Sequence, residues 1–289
     1  MKNIFFRNLA ALFVLVWTAS CEDPIDVALD AGTPQLAVDA MIRVNDGQQK
    51  VRLTITKAYF DQTQASGATG ATVRIQSNLG QDILLTEDPL VPGNYLLDSL
   101  KGQTGERFTL RIDYQGETFT AESLLKRGTV IDTLHQEFRE AQFGNKEGIF
   151  LNLVARDSAG IEDFYWIRYK LNGKENLRTD AISLSADGAF AIGDADGLEF
   201  IYPVRNSINL PDGFEINDTI DVELLSIDKE NWRFLNEMQT QLNNVGLFAE
   251  PIANVRGNVF NTNSSSKTAA VGSFGVARVS KASVVIVEP

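Results

Sequence analysis

The feature that most constrains the fold of this chain is a series of short segments in which apolar and polar residues alternate, between residues 35 and 125. In QLAVDAMIRV every second residue from Leu36 to Val44 is apolar, which is typical of a strand with one buried face. The residues Asn45-Asp46-Gly47 then favour a hairpin turn, and VRLTITKAY resumes the alternation. Because a helix needs a period of 3.6 residues, this part of the chain is predicted to form strands.

The same pattern continues in GATVRIQS, DILLT, GNYLLD, FTLRIDY and ETFTAESL, with glycine-containing turns between several of them. About seven short strands with no helical period are typical of a β-sandwich. We therefore predict an N-terminal domain over residues 34–127 that is an immunoglobulin-like or transthyretin-like β-sandwich.

Beyond Lys126-Arg127-Gly128 the chain again contains strand-like segments, and we predict a second β-rich domain over residues 128–289. One segment differs, because apolar residues recur there at helical spacing. It predicts one amphipathic helix over residues 229–244, with Asp228 as its N-cap and Gly246 after its end. The apolar residues of this helix are Trp232, Leu235, Met238 and Leu242.

The first twenty residues have the pattern of an export signal: Lys2 and Arg7, the apolar run LAALFVLVW, and then small residues. This run is too short for a membrane span, which needs about 20 apolar residues. Cys21 follows directly, and we expect cleavage before it and acylation of its thiol. The alternatives are an ordinary cleaved signal or a small buried cysteine. Residues 21–33 are then an acylated, polar tether.

Charge and residue counts exclude several function classes. The formal net charge is −12, and without Lys2 and Arg7 it becomes −14, which disfavours nucleic-acid binding. Cys21 and His135 are the chain's single cysteine and single histidine, so zinc sites built from cysteines or several histidines are excluded. His135 lies in a strand-like segment, and we expect a surface imidazole rather than a catalytic one. We expect no cofactor.

Asp194, Asp196 and Glu199 form a compact acidic cluster in the stretch DADGLE. Carboxylates at this spacing offer oxygens to calcium, but Asp-Gly is also an ordinary hairpin turn. A turn is the preferred interpretation, and calcium is the alternative. Paired carboxylates elsewhere could serve glycan cleavage only if they lie together in a cleft. A group of aromatic residues could form a binding platform or belong to the core: Tyr165, Trp166, Tyr169, Phe200 and Tyr202.

Several features in order resemble one known family. They are Cys21-Glu22, the segment GATVRIQS…GNYLLDSLKGQTGERFTLRIDYQGETFTAES, the helix DKENWRFLNEMQ and the ending EPIANVRGNV…VGSFGVARV. Together they resemble the uncharacterised, domain-of-unknown-function lipoproteins of Bacteroidota that are commonly encoded beside TonB-dependent outer-membrane transporters. The most specific part is the combination of Pro251, Asn254, Gly257 and Asn258 with Gly272-x-Phe274-Gly275. Glu22 and Asp23 also resemble the surface-export signal of such lipoproteins, although a solvated tether would have the same composition.

This resemblance implies a non-catalytic lipoprotein at the outer membrane, exposed on the cell surface, that binds a ligand or acts as a lid for a TonB-dependent nutrient transporter. It implies no catalytic residues. Membrane lipid, through acylated Cys21, and the transporter are the expected partners. Two alternatives remain: a surface hydrolase that uses carboxylates on glycan or peptide, and a structural adhesin-like module. The segment 251–260 and the loop 261–267 are the candidate contact surfaces, because they are polar and loop-like.

Overall fold

A computed structural model of the chain describes residues 33–58, 61, 63–141, 146–176, 182–189, 196–244 and 255–289. Most of the regular structure in these residues is β-strand. The strands are β1 (Leu36–Arg43), β2 (Gln49–Ile55), β3 (Thr72–Ser77), β4 (Asp82–Leu84), β5 (Thr86–Glu87), β6 (Asn94–Leu97), β7 (Arg107–Tyr114), β8 (Glu117–Leu124), β9 (Ile131–Arg139), β10 (Gly148–Ala155), β11 (Phe164–Leu171), β12 (Lys174–Glu175), β13 (Ser183–Ala186), β14 (Thr219–Ile227), β15 (Val259–Asn261) and β16 (Ala270–Val285). The helices are the single turn α1 (Tyr202–Arg205) and the longer α2 (Lys229–Leu242).

The described strands form three sheets. The largest has the order β12-β11-β14-β16-β1-β2-β6-β5, with β13 also paired to β11. The second has the order β15-β8-β7-β3-β4, and β9 and β10 form a separate two-stranded sheet. Some consecutive strands are joined by tight turns, and the turn between β1 and β2 contains Asn45 and Gly47, both of which have positive φ. The sequence predicts this turn from Asn45-Asp46-Gly47.

Strand β16 connects two regions of the largest sheet. Its first half, 270–277, pairs in parallel with β1, and its second half, 278–285, pairs antiparallel with β14. Alternate residues of a strand share a face. Phe274 and Val276 therefore face a first core, and Ala282 and Val284 on the same face pack against a second core.

The first core lies between the largest sheet and the second sheet, and its fully buried members include Leu53, Phe108 and Phe119. The second core lies between the largest sheet and the β9–β10 pair, and it includes Leu153 and Ile167. Alternation within each strand supplies these buried side chains, as the sequence pattern predicts. The mainly β, sandwich-like fold is thus confirmed.

Helix α2 covers part of the opposite face of the largest sheet. Leu235 is buried, and Trp232 and Met238 pack against Phe164 and its neighbours in a third apolar cluster. The predicted amphipathic helix is present, but it ends at Leu242, which is 43% exposed. Gly246, the predicted residue after the helix, lies outside the described residues.

The predicted division between residues 127 and 128 remains a prediction. The structure adds that residues well beyond this division contribute to the first core, namely Val259, Phe274 and Val276. Among the described residues, no helix is both long and apolar enough to cross a lipid bilayer.

Candidate functional site

A cluster of four polar side chains joins α2 to the edges of two sheets, and we call Ser123, Asp228, Asn231 and Asn258 the polar hub. Asp228 is the N-cap of α2 and accepts hydrogen bonds from the main-chain N–H of Asn231 at 2.9 Å and from its Nδ2 at 2.8 Å. The other carboxylate oxygen accepts from Ser123 Oγ at 2.5 Å and from Leu124 N at 3.0 Å. The start of the helix is therefore fixed to strand β8.

The hub also binds main-chain groups of β16 on the side where no described strand pairs with residues 274–276. Asn258 Oδ1 accepts from Phe274 N at 2.9 Å, and Asn258 Nδ2 donates to Phe274 O at 2.8 Å. Ser123 Oγ accepts from Val276 N at 3.0 Å. Asn258 Nδ2 also donates to Glu122 O on β8, at 2.9 Å. Side chains thus take the place of a strand where the two sheet edges meet.

Three glycines allow this close approach. A Cβ on Gly257 would lie 1.6 Å from the carbonyl oxygen of Gly272. Gly272 has a φ of +97°, and its Cβ would lie 1.9 Å from the carbonyl oxygen of Val38. A Cβ on Gly275 would lie 2.6 Å from the side chain of Met41 and 2.9 Å from Asn231. The described part of the C-terminal motif therefore has a structural role. Its glycines allow the main chains to come close together, and Asn258 joins the two sheets by hydrogen bonds.

Beside the hub lies an open groove of about 920 Å³, which we call the edge groove. One wall is the outer face of α2, with Glu230, Arg233 and Glu237, and the other walls come from the segments 255–261 and 263–271. Arg233 Nη1 lies 3.3 Å from Glu230 Oε1, and Glu237 accepts a hydrogen bond from the main-chain N–H of Arg256 at 3.4 Å. The groove is thus lined by most of the loop 261–267 and by most of the described part of 251–260. These are the two segments that the sequence predicts as contact surfaces.

The loop of the edge groove is held by Glu117. Ser266 Oγ donates to one carboxylate oxygen of Glu117 at 2.6 Å, and Asn261 Nδ2 donates to the other at 3.1 Å. These hydrogen bonds, that of Ser266 first, lower the pKa of Glu117. Asn261 Nδ2 also donates to Thr268 O at 2.9 Å, across the base of the loop. The asparagines and serines therefore give this wall of the groove a defined shape.

A second cavity of about 380 Å³ lies on the exposed face of the largest sheet. Glu223 lines it and accepts hydrogen bonds from Arg43 Nη1 with both carboxylate oxygens, at 3.1 and 3.0 Å. Lys281 Nζ lies 3.6 Å from Glu223, and Arg168 stacks over the ring of Trp166. Acidic and basic groups neutralise one another here, so the cavity has no dominant charge.

The residues predicted as sites are placed as follows. Cys21, Glu22, Asp23 and Asp194 lie outside the described residues. Asp196 accepts from Gly160 N at 2.9 and 3.1 Å, and Glu199 is ion-paired with Arg205. These two carboxylates of the calcium candidate are thus engaged by the protein itself, and among the described residues no group of three or more His, Cys, Asp or Glu is arranged to hold a metal.

The aromatic residues divide between core and surface. Tyr165, Tyr169 and Phe200 are buried, whereas Tyr202 is 61% exposed. The aromatic residues therefore do not line one shared platform. His135 is exposed on β9, opposite Asn152 on β10.

A cluster of buried carboxylates is the part of the structure that sequence reasoning missed. Asp157, Asp163 and Asp187 are 3%, 1% and 4% exposed. Burial raises the pKa of Asp163 and of Asp187, although Arg127 opposes this for Asp163. Asp157 accepts from the hydroxyl of Tyr165, whose pKa is raised chiefly by burial. In the sequence, Asp187-Gly188 is typical of a turn, and a turn signal does not indicate burial of the carboxylate.

Asp163 and Asp187 are joined by two hydrogen bonds, and the main-chain N–H of each residue is the donor of one of them. Asp163 N donates to Asp187 Oδ1 at 2.7 Å, and Asp187 N donates to Asp163 O at 2.9 Å. The guanidinium of Arg127 contacts Asp163 Oδ2 at 2.5 Å and donates to the carbonyls of Ser158 and Ile161. This arrangement orders the loop between β10 and β11, which is a structural use of carboxylates.

The fold and the edge groove define a mainly β protein with a polar, open groove beside the junction of two sheets. The chain belongs to the family described as domain of unknown function DUF4249, whose model matches residues 22–283. A comparison with curated proteins found no match.

Among solved structures, the chain is similar to the crystal structure of the FN1–FN3 domains of chicken CNTN1, at 10% sequence identity and a TM-score of 0.19. The match covers 69% of this chain and 62% of that chain. The chain therefore spans less than two thirds of that structure, and a similarity this weak carries no argument about function.

Proposed function

We propose that this protein is a non-catalytic lipoprotein of the outer-membrane surface that binds a ligand or partner as an accessory subunit of a TonB-dependent transporter. The observation that carries the proposal is the edge groove, which is open, polar and large enough for a ligand. Its walls have defined shapes because Glu117 holds the loop and the polar hub holds α2. Such a preformed site suits binding, because little conformational entropy is lost when a ligand enters.

The place of Gln35 in the sequence, shortly after the expected anchor, supports this role. Gln35 lines the groove, and its main-chain N–H donates to Thr56 Oγ1 at 2.8 Å. The expected tether, residues 21–33, precedes it directly and would span at most about 45 Å when fully extended. An anchor at Cys21 would keep the groove close to the membrane and raise its effective concentration near a transporter.

Retention of the protein with a transporter is the test of this function. The C-terminal residues Glu288 and Pro289 are exposed, so a tag there leaves the groove free. We expect the tagged protein, extracted from its native host in mild detergent, to copurify with a TonB-dependent transporter. The purified protein should release nothing from glycan, peptide and ester panels. Recovery of the lipoprotein alone in several detergents, with unchanged nutrient-dependent growth after its deletion, would contradict the proposal.

Anchoring is tested separately through Cys21. The wild-type protein should partition into the detergent phase, and intact-mass spectrometry should show a mature chain that begins at acylated Cys21. Cys21→Ala should move the protein to the soluble fraction, because acyl chains supply the membrane affinity. An alanine variant that remains equally membrane-bound would show that another segment anchors the chain.

A further inference from the structure

The edge groove presents the aromatic ring of Phe260 to solvent. Phe260 lies in β15 beside Val259, which is buried in the first core. Because successive residues of a strand point to opposite faces, the burial of Val259 directs Phe260 away from that core. The side chain of Phe260 is 65% exposed and lines the groove. Packing in the first core therefore does not account for an aromatic residue at this position.

The groove also contains hydrogen-bonding groups that the protein itself does not use. Asn263 accepts from Ser265 N with Oδ1 at 3.1 Å, which leaves its two Nδ2 hydrogens free. The other side chains of the groove that have no hydrogen-bond or ion-pair partner among the described residues are Gln35, Arg256, Ser264 and Thr268. Amide and hydroxyl groups both donate and accept hydrogen bonds, so they suit a ligand that does the same.

The charges of the described groove residues balance. Two acidic and two basic side chains line it, namely Glu230, Glu237, Arg233 and Arg256. Arg233 Nη1 lies 3.3 Å from Glu230 Oε1, which partly neutralises the wall formed by α2. A charged ligand is attracted most where charges of one sign dominate. This balance therefore favours an uncharged ligand that is rich in polar groups.

We infer that the edge groove binds an uncharged oligosaccharide, an inference that rests on the proposed binding function and names its ligand class. Sugar hydroxyls donate and accept hydrogen bonds, which matches the free amide and hydroxyl groups. A pyranose ring also has a face of C–H groups that can pack on the ring of Phe260. The volume of about 920 Å³ lies at the upper end of the range of about 300–1,000 Å³ for ligand sites, so it suits several linked sugars better than one.

The probe for this inference is an array of immobilised oligosaccharides, some neutral and some containing uronic acids, exposed to the purified full chain in mild detergent. We expect retention on neutral members of the array. The affinity for the neutral oligosaccharide that binds best should change by less than about twofold between about 50 and about 500 mM salt, because screening acts only on charges.

Substitutions in the groove place the site. Phe260→Ala should weaken binding of this oligosaccharide about tenfold, whereas Phe260→Tyr keeps the ring and should bind within about threefold of the wild type. Asn263→Asp keeps the oxygen that accepts from Ser265 N but removes the Nδ2 donor, so it should also bind about tenfold more weakly. Leu90→Ala, at an 86% exposed residue outside the groove, should bind as the wild type does. Melting temperatures verify that each variant is folded.

Three results would overturn the inference: no retention on any neutral oligosaccharide, equal binding by Phe260→Ala and the wild type, or an affinity that falls steeply with salt. Copurification with a transporter is measured independently. A protein that copurifies but binds no sugar keeps the proposed function and loses this ligand class. A protein that binds the sugar through Phe260 but never copurifies keeps the ligand class and loses the transporter role.

Discussion

At the scale of residues, the close approach of main chains at Gly257 and Gly272 makes the junction between the sheets possible. The carbonyl oxygen of Val38 occupies the space that a side chain at Gly272 would need. Gly272 also has a positive φ, which disfavours residues with a Cβ. The glycines of this motif are thus explained by packing and need no catalytic or binding role.

Gly272→Ala should therefore lower the free energy of unfolding by more than about 3 kcal/mol, because the new methyl group overlaps main-chain atoms and the backbone is strained. Gly47→Ala is a matched control, since Gly47 also has a positive φ but no atom of the described residues lies within 4 Å of the added Cβ. It should cost only about 1–2 kcal/mol. Urea unfolding followed by circular dichroism measures both, and equal losses would show that the contact with Val38 is easily relieved.

The buried carboxylate of Asp187 should make stability depend on pH. Burial raises its pKa above the ordinary value of 3.8, so the folded state binds this proton more tightly than the unfolded state. Its contribution to stability is full below about 3.8 and is lost as pH rises through the raised pKa. Groups with lowered pKa values, such as Asp113 and Glu137, contribute in the opposite direction.

The substitution Asp187→Asn removes the titrating carboxylate and therefore tests its contribution to the pH dependence of stability. The positive φ of 49° suits asparagine, and the amide oxygen can still accept from Asp163 N. We expect the variant to gain stability over the wild type near pH 7 and to lose this advantage as the pH falls toward 4, measured by urea unfolding at several pH values. Asp212→Asn, at an exposed pair with Lys146, should change stability by less than about 0.5 kcal/mol. An advantage independent of pH would refute the assignment to Asp187.

At the scale of elements, α2 is the part of the chain where local sequence and tertiary contacts agree best. Its N-cap, its apolar spacing and its charged outer face all predict a helix, and Phe164 lies against Trp232 with ring centroids 5.3 Å apart. Among the described residues the buried indole N–H of Trp232 has no hydrogen-bond partner, which lowers the benefit of its burial. The ring itself contributes most of the packing.

Trp232→Ala should therefore cost about 2–4 kcal/mol through the cavity that it leaves. Trp232→Phe should cost less than about 1.5 kcal/mol, because it keeps most of the ring contact and removes the unpaired N–H. Leu242→Ala, at the exposed end of the same helix, should change stability by less than about 0.5 kcal/mol. The denaturant midpoints of the three variants measure these changes. If Trp232→Phe is as unstable as Trp232→Ala, the indole N–H has a hydrogen-bond partner in solution.

At the scale of the whole molecule, β16 couples the first and second cores. Its halves pair with β1 and β14, and its buried face contributes to both cores. We expect one unfolding transition in differential scanning calorimetry, with calorimetric and van't Hoff enthalpies that agree. Residues 34–127 alone should not fold, because they lack Val259, Phe274 and Val276. Two resolved transitions, or a folded fragment 34–127, would show that the cores are independent.

The sequence by itself determined the class of fold and most of its strands. Alternation in segments such as that from Leu36 to Val44, turn residues such as Gly47 and the spacing of α2 are local signals, and local signals predict local structure. The segments nominated as contact surfaces also followed from composition, because polar loops lie at the surface. The lipid anchor at Cys21 remains a prediction of the sequence.

Only the tertiary structure decided how these elements meet. Which strands pair depends on contacts between residues far apart in the chain, so no local pattern indicates that residues 270–277 return to β1. The burial of Asp163 and Asp187 and the strand-like role of Asn258 also arise from such contacts between distant residues. The sequence gives the chemical type of each side chain. Its exposure to solvent and its hydrogen-bond partners are set only when distant segments of the chain pack together.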